Sequence, residues 1–148
     1  MKYAGLLLAA ALSTAAHAHD EGHGPKIVDA APQGGVLTAV VEAKDAKLGP
    51  KAALVYKAEI VRSEDGTVSV TFYDKDLKPL DGAAFDKKGE ATLIVEKKKK
   101  TTIKKFPLAL KDGAFVGKMP KPAGKPYNID VAVTEGKRKL LAAFDNLD

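Results

Sequence analysis

His19 and His23, with Asp20 and Glu21 between them, are the residues of this 148-residue chain best suited to hold a metal ion. Imidazole nitrogen suits copper, zinc and nickel. If His19 is the first residue of the working protein, its α-amine and Nδ1 form a chelate for Cu(II). His23, four positions on along a glycine-flanked stretch, bends back as a third nitrogen. Asp20 and Glu21 add oxygen ligands or lower the local potential. These four residues are the predicted metal site and copper the favoured ion; no catalytic residue and no other cofactor site is predicted.

The residues ahead of His19 decide whether it is terminal. Met1-Lys2 supplies a positive charge, residues 4–12 an apolar run, and Ser13-Thr14-Ala15-Ala16-His17-Ala18 a small-residue stretch ending in Ala-x-Ala. That is the layout of a secretory signal peptide, and it predicts cleavage after Ala18 and a periplasmic protein. Cleavage after Ala16 is the alternative. It leaves His17-Ala18-His19, whose amine, two amides and third-position imidazole make a square-planar site for Cu(II) or Ni(II). The apolar run is short of the roughly 20 residues a membrane helix needs, and no later stretch comes closer, so no membrane insertion is expected after cleavage. The chain has no cysteine, which excludes a lipid-modified cysteine, disulfides and thiol nucleophiles. An exported small domain without disulfides suits a bacterial periplasm.

Loss of residues 1–18 removes one lysine and no acid from a formal net charge of +5. The remaining residues, about 130, are one domain's worth. Arg62 and Arg138 are the only arginines, and no aromatic residues interleave the basic stretches. Nucleic-acid sites draw on both features, so nucleic acid is excluded as a partner.

Behind residues 19–32, read as a flexible arm carrying the histidines, the pattern is that of β-structure. Tyr56, Ala58 and Ile60 alternate with Lys57 and Glu59; Val68, Val70 and Phe72 with Ser69 and Thr71. Ala91, Leu93 and Val95 follow the same rule, as do Tyr127, Ile129, Val131 and Val133. A period of two marks half-buried strands. Asp65-Gly66, Asp112-Gly113 and Glu135-Gly136 mark turns between them. Seven to nine short strands predict an all-β, mostly antiparallel, immunoglobulin-like sandwich over residues 33–148.

The body contains no histidine, so triad and imidazole general-base chemistry are not available there. Asp65, Asp74, Asp76, Asp81 and Asp86 sit at turns, where side chain to backbone bonding accounts for them. The chain is therefore expected not to be an enzyme. The run Lys97-Lys98-Lys99-Lys100, continued by Lys104-Lys105, reads first as a solvated hairpin or an edge strand whose charges repel other edges. The second reading is a docking patch for an anionic partner, lipid phosphates or an acidic protein face.

Three segments together resemble a set of exported proteins: Ala31-Pro32-Gln33-Gly34-Gly35-Val36-Leu37, Tyr56-Lys57-Ala58-Glu59-Ile60-Val61, and Val70-Thr71-Phe72-Tyr73-Asp74 through Pro79-Leu80. They are similar to small periplasmic β-sandwich proteins and to the β-domain of periplasmic adaptors of heavy-metal efflux pumps. In these a Pro-x-Gly-Gly opening precedes a Tyr-x-x-Glu-Leu strand and a Tyr-x-x-Asp segment ending in Pro-Leu. Many members carry His at the x of Pro-x-Gly-Gly, where this chain has Gln33. The resemblance spans residues 31–80 and implies a β fold, the periplasm and a role beside metal efflux. The expected function is thus an exported accessory protein that binds or buffers copper or assists efflux, with an envelope or efflux protein as partner. The alternative is a protein–protein interaction or structural module with no metal role.

Overall fold

The computed structural model describes residues 24–148. Eight strands follow in chain order: β1 (Val36–Glu42), β2 (Tyr56–Arg62), β3 (Thr67–Tyr73), β4 (Lys88–Lys97), β5 (Lys100–Lys111), β6 (Ala114–Lys118), β7 (Tyr127–Glu135) and β8 (Arg138–Leu147). The only helical element among the described residues is a 3-10 segment, Ala43–Lys51, between β1 and β2. No helix there is long and apolar enough to cross a membrane.

The strands close into an antiparallel barrel in the order β1-β2-β3-β6-β5-β4-β7-β8. The open immunoglobulin-like sandwich expected from the sequence is therefore incorrect. Alternation fixes which side chains face inward, and Phe72, Leu93, Ile129 and Val131 are indeed buried in one core. It carries no information on whether the sheet ends meet. Here they do: β1 pairs with β8 through Val40–Ala142, Val41–Leu141 and Glu42–Leu140, and β3 pairs with β6 along Thr67–Lys118 to Thr71–Ala114. Eight strands enclose an interior that side chains can fill by themselves.

Two crossovers complete the circuit. Residues 74–87 carry the chain from β3 past β6 and β5 to β4 at one end, and residues 119–126 lead from β6 past β5 and β4 to β7 at the other. The first end, with Tyr56, Tyr73, Glu135 and Arg138, is called the Tyr56 end; the second is the Arg62 end. The first crossover also delivers Phe85 into the barrel. Its ring lies 5.2 Å from Phe72, 5.9 Å from Phe115 and 6.2 Å from Tyr56, mostly edge to face. Such aromatic clusters add packing energy beyond the area they bury, and this one plugs the Tyr56 end.

The outer wall is covered on one side. The 3-10 segment packs Ala46, and the residue after it Ala52, on Val41, with Leu141 alongside. Residues 24–35 run over β1 and β2: Gly24 lies against Ala39 and Val41 so closely that a Cβ would collide with both. Asp29 pairs with Lys57 at 2.8 Å.

Candidate functional site

Lys57 and Glu59 alternate with inward-facing Ala58 and Ile60, which places them on the outside of β2. Both are nevertheless buried, Glu59 completely, because residues 24–35 lie over them. A buried carboxylate demands partners, and Glu59 has three. Oε1 accepts the Gly35 N–H at 2.8 Å, and the Gln33 N–H is shared between Oε1 at 2.9 Å and Oε2 at 3.1 Å. Tyr73 donates its hydroxyl to Oε2 at 2.9 Å. The Gln33 side chain extends the relay: its Nε2 donates to the Tyr73 hydroxyl at 2.9 Å and to Thr71 Oγ1 at 3.1 Å.

The local sequence is built for this clasp. Gly34 takes a positive φ of 74°, and a Cβ at Gly35 would strike the Ile60 carbonyl. Two glycines thus let the backbone turn and then approach β2 closely enough for both N–H groups to reach one carboxylate. Next to it, Lys57 Nζ donates to Asp29 Oδ2 at 2.8 Å and to the Lys75 carbonyl at 2.7 Å. The hydrogen bond from Lys57 holds the Asp29 carboxyl below its ordinary value. Burial pushes the Tyr73 phenol up; the Gln33 amide works against this and the Glu59 carboxylate adds to it.

A second polar group sits at the Tyr56 end. Tyr56 donates its hydroxyl to Glu135 Oε2 at 2.7 Å, and Arg138 binds Glu135 Oε1 through Nη2 at 2.6 Å and Nε at 2.9 Å. The Arg138 guanidinium also lies 5.7 Å from the Tyr56 ring centroid. The Glu135 carboxylate, as acceptor, raises both the Tyr56 phenol and the Arg138 guanidinium above their ordinary values. At the Arg62 end a cavity of about 700 Å³ opens between Val36, Ile60, Met119 and Tyr127. Its guanidinium is committed to the wall: Arg62 Nη1 donates to the Tyr127 hydroxyl at 2.6 Å and to the Asp148 carbonyl at 2.9 Å.

The chemistry of these groups is that of fastening. The Glu59 lone pairs are taken by donors, and Lys57, two residues away on the same strand face, is bound elsewhere. Among the described residues no three His, Cys, Asp or Glu side chains are placed to share a metal ion. The predicted metal ligands His19, Asp20, Glu21 and His23 all lie outside the described residues.

Reading the sequence as strands missed the Gln33–Glu59–Tyr73 cluster, because it treated Lys57 and Glu59 as a solvated face. The available signal was the grouping of three separate segments, residues 31–37, 56–61 and 70–80, as one resemblance. Those segments contribute Gln33, Gly34 and Gly35, then Glu59, then Tyr73, to a single contact. No protein-family model, curated protein or solved structure matches the chain.

Proposed function

We propose that this chain is an exported, non-enzymatic accessory protein of the periplasm. Its amino-terminal histidines take a transition metal, copper(II) before others, for buffering or for transfer to an efflux assembly. The observation that carries the reading is the distribution of imidazole. His17, His19 and His23 are the only histidines, and all precede the point at which Gly24 is laid against Ala39 and Val41. Cleavage after Ala18 then leaves an amine and two imidazoles just ahead of a clasped wall. The resemblance of residues 31–80 to adaptor β-domains supports the efflux connection.

The test begins with the mass of the protein recovered after export with its own leader, which fixes the new terminus. Calorimetric titration with Cu(II) follows. The wild type takes up one ion, His19→Ala or acetylation of the amine abolishes tight uptake, and His23→Ala weakens it. Affinity falls as the pH drops below about 6.5, where protons compete for imidazole. Equal weak uptake by all forms rejects the metal reading in favour of an interaction module.

A further inference from the structure

The turn of the β4–β5 hairpin breaks the rule that the other hairpins obey. The β2–β3, β5–β6 and β7–β8 turns each place a glycine at positive φ: Gly66 at 85°, Gly113 at 80° and Gly136 at 59°. Tight hairpin turns favour Asn-Gly or Asp-Gly for that reason. The β4–β5 turn has Lys98-Lys99 instead, and Lys98 is held at a φ of 45°. A lysine there is strained relative to asparagine or glycine. A local preference set aside without any gain in packing points to a functional constraint.

The surroundings show what the constraint is. Six of the nine residues 97–105 are lysine. Beyond Ile94–Asn128 on one side, and outside residues 109–111 on the other, the hairpin is paired only within itself, so its tip projects from the Arg62 end. Lys97 Nζ donates to the Ala123 carbonyl at 2.6 Å, which brings the crossover bearing Lys121 and Lys125 beside it. Lys105 pairs with Glu90, while no ion pair holds Lys98, Lys99, Lys100 or Lys104 among the described residues. Ile103, on the same hairpin, is 62 % exposed. Protection of a strand edge accounts for lysines along β5, but not for the two in the turn, which lie on no ladder.

We infer that this hairpin tip docks on an anionic phospholipid surface. A Lys cluster offers charge without the fixed fork of arginine. That suits a diffuse sheet of phosphates rather than a shaped acidic site on a protein. Clusters of four to eight basic residues bind anionic bilayers in this way, and an exposed apolar side chain among them adds contact at the interface.

The experiment is co-sedimentation of the exported protein with vesicles of phosphatidylcholine and phosphatidylglycerol, or of phosphatidylcholine alone, at low and high salt. The wild type partitions onto the anionic vesicles at low salt, leaves them at high salt and ignores the neutral ones. The double variant Lys98→Gly, Lys99→Asn repairs the turn, since only the first of its two residues has a positive φ, while removing two charges. It unfolds no earlier than the wild type on heating, yet its partition falls about 30-fold, as expected for two lysines at an anionic surface. The variant Lys98→Arg, Lys99→Arg binds as the wild type does. Equal binding to neutral vesicles, wild-type binding by the Gly-Asn variant, or no binding to anionic vesicles at low salt each overturns the proposal; the last leaves an acidic protein as the partner to seek.

Discussion

The Glu59 clasp and the β4–β5 tip are both charged features on the outside of one barrel, and they are opposites in every other respect. At the clasp a single carboxylate is completely buried and every contact to it is a donor. At the tip several ammonium groups stand in water, and the turn that carries them departs from the backbone chemistry of its neighbours. A charge that is buried and matched holds one segment to another, and its removal strands its partners. A charge that is exposed and unmatched adds little to stability, so its presence needs an explanation outside the fold.

The largest effect should come from Glu59→Ala. It orphans the Gln33 and Gly35 N–H groups and the Tyr73 hydroxyl, and urea unfolding should show a loss of about 3 kcal/mol. Gln33→Ala removes only the side-chain bonds to Thr71 and Tyr73 and should cost about 1 kcal/mol. If the two variants were equally mild, the clasp would not fasten residues 24–35 at all. Next in size, and opposite in sign, the Lys98→Gly, Lys99→Asn variant should gain about 0.5–1 kcal/mol by relieving the left-handed lysine. A loss in the same urea titration would mean that the lysines serve the fold, and the contrast between the two regions would disappear.

The smallest effect lies between these extremes, at the β2–β3 turn. Lys118 in the first place, then the Thr67 N–H and hydroxyl, hold the Asp65 carboxyl down to about 2. Its folded value is therefore below the unfolded value of about 3.9. The stabilisation is complete above about pH 4 and is lost as the pH falls toward 2. Asp65 is a matched but exposed charge, so Asp65→Asn should lower stability slightly at about pH 4 and above, leave it unchanged near pH 2, and so flatten the acid limb of a stability–pH curve. A large change at pH 7 would show that exposure does not discount this pair.

The strand phases were legible because Phe72, Leu93, Ile129 and Val131 report the inward face by period alone. Closure was not legible. The pairing of β1 with β8 joins residues with no local signature of each other, and a sandwich and a barrel share the same alternation. Phe85 lies between recognisable strands, and only the crossover shows that it enters the core. Lys57 and Glu59 obey the outward phase; their burial comes from a segment that shows no periodicity of its own. The lysine hairpin, by contrast, was visible as a run in the sequence. Its turn geometry, which separates edge protection from docking, needed the backbone.

The seam between β1 and β8 also bears on the order in which the molecule comes into being. Thr38 donates its hydroxyl to the Ala143 carbonyl across 105 residues of chain at 2.8 Å. Joining such distant segments carries a loop-closure cost that nearest-neighbour hairpins avoid, and contacts of this kind slow folding. A chain threaded amino-terminus first through a membrane, as proposed here, delivers β1 long before β8. Until β8 arrives, β1 has only β2 to pair with, and the barrel stays open. If the chain is exported in that order, the seam is the last joint to form, and the barrel closes only once β8 is across.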